Sequence, residues 1–378
     1  MNRIARGLFP VFAAAALVVS AGVGAEPGVA AGTILIGHSA GLTGNLAERV
    51  NPAVGAANLY FDEVNRKGGV NGRRIRFLSL DDKGETPNTI ANTKRLIEQE
   101  EVFAILLATG AGPATAAMKL AVEARVPFIA PLTGAVSLRA PNRYVFHVKA
   151  SFADEWSKLA EHIKSFNLDN VAIVYFDNEA GREGRQLAEA ALGANKAPPK
   201  AVIGFGGKAG TIKDALGALA KLDPQAIMLA SVQQPAAEFL TQMYASGLRP
   251  WTYTNSISTG EAIFKATGAK AHGLIISQTV PYPNEITMPL IKEYQALARR
   301  ANQPAGGYPA IEGFISAKVM VEGLRRAGAN PTREGLVDAM QNLNIDLGGY
   351  QVRFSPGDHV GSRMVELTMV SREGRFVR

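Results

Sequence analysis

Ser39 stands inside Gly37-His38-Ser39-Ala40-Gly41, the G-x-S-x-G spacing of a serine nucleophile elbow. That chemistry needs a sharp strand-to-helix turn that exposes the hydroxyl and a histidine to take its proton. One reading is therefore an exported serine esterase, with His272 or His359 completing the triad. Against it, the strand before the motif covers 33–37. The next helix starts only near Asn51, where Asn51-Pro52 reads as an N-cap followed by proline at the first helical position. The turn of an elbow is then missing, and small residues after a strand are common.

Other reactive patterns are weaker. Gly204-Phe205-Gly206-Gly207-Lys208-Ala209 has G-x-G-x-x-A spacing between a strand and a helix, which can cradle a pyrophosphate. It follows the second strand of its series rather than the first, so a flexible turn is the better reading. His38, His147, His162, His272 and His359 are scattered without i,i+4 pairing, and Asp81-Asp82 reads as a cap or turn. We expect no metal and no cofactor. With no cysteine in the chain, disulfides, zinc-thiolate sites and thiol nucleophiles are excluded together.

The elements that must position these residues alternate between strand and helix. Strands are expected over 33–37, 74–79, 102–107 and 126–130, with helices between them from Asn51, from Thr86-Pro87 and over 113–124. A second series starts near Asn170. Its strands are 171–176, 201–205, 225–230, 251–254 and 274–278, and its helices 181–192, 211–221 and 235–246. Helices follow over 288–300, 309–327 and 331–343, then short strands over 350–354 and 365–370. Alternation of this kind predicts parallel sheets covered by helices on both faces. The late helices and strands need earlier sheets to join, so the economical arrangement is two α/β lobes, each completed by a late segment.

The first 25 residues predict the compartment. Arg3 and Arg6 precede an apolar run over 8–19, and Val23 and Ala25 sit where a signal peptidase reads small residues. The run is too short to span a bilayer. A cleaved leader over 1–25 is expected, and hence a periplasmic protein. The formal charge of +7 is modest, and two of those charges lie in the leader. Basic residues are spread among acidic ones rather than gathered on one face with aromatics, which argues against nucleic acid as a partner.

Several segments, taken in order, resemble one family. They are Ile36-Gly37, Leu42-Thr43-Gly44, Gly68-Gly69-Val70-Asn71-Gly72-Arg73 and Asp81-Asp82, then 127–131, Asn142-Arg143-Tyr144-Val145-Phe146, 171–176 with Gly181, and 245–248. Together they resemble the periplasmic substrate-binding proteins of ABC importers, in the branched-chain amino-acid (leucine/isoleucine/valine) binding group. The resemblance implies the type I periplasmic-binding fold: two Rossmann-like α/β lobes with parallel central sheets, joined by three hinge crossovers. The crossings fall near 147–151, 278–281 and 345–349. Lobe 1 is then 32–148 with 279–346, and lobe 2 is 149–278 with 347–378. The implied partners are a small-molecule ligand, an amino acid or organic acid, and an ABC permease at the inner membrane. The protein is expected to act as a monomer.

Ligands of such sheets sit beyond the carboxyl ends of the strands. That places loops 39–49, 109–112, 131–134, 231–234 and 255–258 at a cleft. The ligand-binding candidates are Ser39, Arg49, Thr109, Ala111, Leu132, Thr133, Gly134, Phe176, Val232, Gln233, Asn255 and Ser256. By resemblance, hydroxyls that hold a ligand carboxylate fall at Ala111 and Gly134, with Thr109 and Thr133 alongside. The acid that meets an α-ammonium falls at Ser256, and tyrosine walls fall at Arg49, Ala180 and Val232. A buried ammonium without a carboxylate is costly, so Asp177, Glu179 or Glu261 would have to reach in. Arg49 can instead pair bidentately with a ligand carboxylate, supported by N–H groups at Ala111 and Gly134, or it can point to solvent at the rim. A carboxylate-bearing ligand without an ammonium is the resulting expectation.

Overall fold

A computed structural model describes residues 26–258 and 260–377. The leader expected over 1–25 lies outside the described residues. Among the described residues no helix is long and apolar enough to cross a membrane.

Two sheets organise the chain. In the first, Arg74–Asp81, Thr33–Ala40, Ala104–Leu106, Phe128–Ile129 and Val145–Phe146 lie side by side and parallel. Val29–Ala30 adds a short antiparallel pairing at the start of Thr33–Ala40. In the second, Ala201–Phe205, Val171–Phe176, Ala226–Ala230, Trp251–Thr254 and Ile275–Gln278 are parallel. Glu366–Val370 and Phe376–Val377 extend that sheet antiparallel. Each parallel set has its second strand outside its first and its third inside. Each sheet therefore has one switch point, between Thr33–Ala40 and Ala104–Leu106 in lobe 1 and between Val171–Phe176 and Ala226–Ala230 in lobe 2. Ligands bind beyond the strand ends at such points.

The residue pattern explains the layering. Ala226–Ala230 is buried along its whole length, as a strand covered on both faces must be. Helix Tyr308–Arg326 is buried almost all round and lies against helix Ala47–Arg66 in the lobe 1 core. Gly313 permits that contact: a Cβ there would lie 2.0 Å from the carbonyl oxygen of Ala53.

Three departures from the sequence reading stand out, beside unexpected short elements such as helix Gly260–Thr267 and strand Val145–Phe146. Strand Thr33–Ala40 runs three residues further than expected, and helix Ala47–Arg66 starts earlier, behind a 3-10 turn at Gly44–Leu46. Pro52 is thus inside the helix, and Asn51 donates its amide to the Leu42 carbonyl at 3.1 Å rather than capping. Helix Phe152–Ser165 was absent from the expected series. It starts from a capping box in which Ser151 accepts from the Asp154 N–H and the Asp154 carboxylate accepts from the Ser151 N–H.

The third difference corrects the lobe boundary. Tyr350, Val352 and Phe354 pack in the lobe 1 core, beyond the expected crossing at 345–349. The His147 N–H donates to the His359 carbonyl and the Gly361 N–H to the His147 carbonyl, so the chain still borders lobe 1 there. It joins the lobe 2 sheet only at Glu366–Val370. The reason is the hairpin Asn344–Asp346 with Gln351–Arg353, whose apolar face covers lobe 1.

Candidate functional site

The lobe 1 loops leave their strands through unusual backbone. Leu107 (φ 63°) and Ala130 (φ 50°) are non-glycine residues in the left-handed region, each just past a strand end and each fully buried. Such conformations cost on the order of 1–3 kcal/mol and gather at functional sites. They turn the chain so that the Leu132 N–H meets the Ala108 carbonyl at 2.9 Å, joining the two loops. Thr109 Oγ1 donates to the Leu107 carbonyl at 3.0 Å. Gly110 (φ 84°) then opens helix Ala111–Glu123, whose N-terminus has no side-chain cap. Thr133 Oγ1 accepts from the Ala135 N–H at 3.2 Å.

Gly134 touches lobe 2 directly. Its carbonyl accepts from the Phe152 N–H at 2.8 Å, and a Cβ on it would lie 2.5 Å from the Phe152 ring. Only glycine allows this approach. Nearby, the Val136 N–H donates to Glu183 of lobe 2 at 2.9 Å.

From lobe 2, Phe176 ends its strand in contact with Phe205. Val232 and Gln233 start helix Gln233–Ala245, again without a side-chain cap. Asn255 and Ser256 follow strand Trp251–Thr254, and both are buried. The Asn255 side-chain oxygen has no hydrogen-bond partner among the described residues.

Four charged side chains join these parts, and three of them were not among the expected site residues. Arg49 is only 8% exposed. Its Nη2 meets Glu312 Oε2 at 2.7 Å, and its Nη1 donates to the Ser256 carbonyl at 3.1 Å. The other Glu312 oxygen takes Lys149 Nζ at 2.6 Å. Lys149 lies on the first crossover, and Nζ also reaches the Leu132 carbonyl at 3.4 Å. Glu155, on helix Phe152–Ser165, accepts from the Ser256 N–H at 2.8 Å, Ser256 Oγ at 2.9 Å and Ser277 Oγ at 2.6 Å. Burial pushes the Glu155 carboxyl up, opposed by Lys149 and these hydrogen bonds. Burial likewise pushes the Lys149 ammonium down, opposed by Glu312.

This changes the expectation for Arg49. It is buried rather than pointing to solvent, and each of its terminal nitrogens already meets a protein acceptor. Ser39 is also engaged. Its hydroxyl donates to Asp82 Oδ2 at 2.9 Å and accepts from Asn92 at 3.2 Å. His359 stacks on Phe146 and contacts the Val145 carbonyl and Gln341. His272 precedes strand Ile275–Gln278, at the opposite end from the cleft loops. Neither histidine is brought to Ser39.

The remaining motifs close on themselves. In the Gly206-Gly207 loop the Asp177 carboxylate accepts from the Lys208 N–H at 2.9 Å, so a protein anion occupies the turn that a pyrophosphate would need. Asp81 accepts from the N–H groups of Leu42, Thr43 and Lys83 and from the Thr43 hydroxyl, which lower its pKa and mark it as a turn anchor. Among the described residues no group of His, Asp or Glu is placed to hold a metal ion.

Lys149, Glu155 and Glu312 were missed because their partners are distant in sequence. Ser151-x-x-Asp154 was the available signal for Glu155. It announces a helix start with Phe152, Trp156, Leu159, Ala160 and Ile163 at helical spacing.

A family model described as periplasmic binding protein matches residues 33–375. A substrate-binding periplasmic protein from Ralstonia solanacearum is 28% identical, with a TM-score of 0.82 over 91% of this chain and 99% of that one. A branched-chain amino acid ABC transporter protein from Thermus thermophilus, solved with bound valine, is 20% identical (TM-score 0.81, 92% of this chain and 95% of that one). A fatty acid ABC transporter substrate-binding protein from Thermomonospora curvata is 22% identical (TM-score 0.81, 93% and 92%). The last two likenesses show the shared type I periplasmic-binding fold. No curated protein matches the chain.

Proposed function

We infer the role of this protein from one premise: the chain belongs to the periplasmic binding protein family. Proteins of this family are exported binding proteins that take up small molecules for ABC transporters, and they are not enzymes. We propose that this one captures a small carboxylate-bearing solute without an ammonium group between its lobes. It delivers that solute, as a monomer, to an ABC permease at the inner membrane. Residues 1–25 direct its export and are removed.

One observation carries the ligand class. The carboxylate beside Ser256, where an ammonium-binding acid is expected, belongs to Glu155, and it already accepts three hydrogen bonds from lobe 2. Asp177 is held by Arg182 and the Lys208 N–H, and Glu312 lies between two cations. At Glu312 an α-ammonium would have to displace Arg49 or Lys149 and leave that cation unpaired in the interior, and at Glu155 and Asp177 it would have to compete with donors already in place. A carboxylate meets a better reception. The N-termini of helices Ala111–Glu123 and Gln233–Ala245 lack side-chain caps and present N–H groups from opposite lobes. Asn255 offers one neutral acceptor for a hydroxyl or amide on the solute.

A thermal-shift panel tests this reading. It pairs aliphatic and aromatic monocarboxylates with the amino acids of matching skeleton. A bound acid raises the melting temperature with concentration. Greater stabilisation by the amino acids would overturn the ligand class.

A further inference from the structure

We propose that Arg49, positioned by Glu312, is an interlobe latch that biases the protein toward the closed arrangement before any solute arrives. Arg49 rises from helix Ala47–Arg66 of lobe 1, and the carbonyl it reaches, Ser256, belongs to lobe 2. Each end of the bridge is held. Glu312 Oε2 fixes the guanidinium from helix Tyr308–Arg326, and Glu155 holds Ser256 by both its N–H and its hydroxyl. Lys149 takes the second oxygen of Glu312 from the crossover between the lobes. The carboxylate therefore cannot swing away without leaving a buried cation unpaired.

An ion pair serving only to hold lobe 1 together would be complete with Glu312. The second bond, to a main-chain oxygen of the other lobe, gains nothing for lobe 1 alone. It is made when the lobes meet and surrendered to water when they part. A charge-assisted hydrogen bond out of solvent shifts such an equilibrium by about ten-fold or more. A solute then selects a state already populated, and its apparent affinity rises with that population. The latch acts alike on any solute, so it stands apart from the ligand class proposed above.

The test uses protein unfolded in guanidinium, dialysed and refolded to remove co-purified solute. Small-angle scattering then compares the wild type with Arg49→Met, which keeps the apolar stem, and Glu312→Gln, which weakens the hold on the guanidinium. The expected result is a compact wild type and a larger radius of gyration for both variants. Arg49→Lys covers the case in which Arg49→Met loses its circular dichroism. It keeps a cation opposite Glu312 but lacks the second nitrogen for Ser256, so it is expected to open as well. Equal radii for the wild type and the folded Arg49 variants would overturn the latch, whether all are compact or all are open. No solute enters the measurement, so failure of the ligand panel leaves this outcome unaffected.

Discussion

The Tyr350 hydroxyl donates to the Val148 carbonyl at 2.9 Å and lies 3.3 Å from the carbonyl of Thr279. Val148 belongs to the first passage between the lobes and Thr279 to the second, while Tyr350 precedes the third. One buried phenol therefore gathers three separate stretches of chain. Beside it, Arg139 donates to the Lys149 and Ala150 carbonyls at 3.1 Å each.

Tyr350→Phe removes that hydroxyl and leaves the Val148 carbonyl without its donor. Losing a partner from a buried group costs about 1–3 kcal/mol. The expected outcome is a lower melting temperature with faster amide exchange over 147–150 and 278–281. Unchanged exchange in both passages would show that the phenol does not hold them.

Gly313→Ala tests the closest helix crossing. The added methyl meets the Ala53 carbonyl, and backbone cannot yield as a side chain can. A loss of about 1–3 kcal/mol or more is expected in denaturant unfolding, as for other overpacked cores. By contrast, Gly217→Ala introduces a Cβ with no atom within 4 Å, inside helix Ile212–Leu222, and should be neutral or stabilising.

Acid should destabilise the protein through two buried histidines. Burial pushes His38 down to about 4 and His147 down to about 3. Each stays neutral in the fold where the unfolded chain already binds a proton. Stability is therefore complete above the ordinary imidazole value of 6.5 and falls as the pH drops below it toward those lowered values. For His38 the loss is on the order of 3 kcal/mol. Denaturant unfolding at pH 7 and pH 4.5 measures it. His38→Leu should shallow the dependence, and an unaltered slope would assign the acid loss to other groups.

Ser39→Ala separates structure from chemistry. Asp82 loses one of its donors while keeping Thr89 and the Gly84 N–H. A destabilisation of about 1 kcal/mol is expected. Hydrolysis of a generic ester should be absent from wild type and variant alike. Turnover by the wild type that vanishes with Ser39 would restore the hydrolase reading.

Much of the fold was legible because apolar runs and punctuation agree locally. Val171–Phe176, Ala201–Phe205 and Trp251–Thr254 lie where short apolar runs bounded by turn residues placed them. Helix Phe152–Ser165 was lost because it follows a crossover, with no preceding strand of its own lobe to announce it. The loops at the site were legible from the switch-point rule, but their pairings were not. Arg49 and Glu312 are 263 residues apart, and Glu155 and Ser256 are 101 apart. A charged residue in a helix pattern reads as a solvated face, and only the closing of the chain over itself buries it.

The position of helix Tyr308–Arg326 bears on how the molecule assembles. It packs on helix Ala47–Arg66 in the core of the first half, yet it is made after every parallel strand of the second. The first half therefore cannot finish its core as it emerges, and must wait until almost the whole polypeptide is available. Pairings between distant segments slow folding. For a chain of this layout, a late-maturing first half prolongs the interval in which it remains threadable.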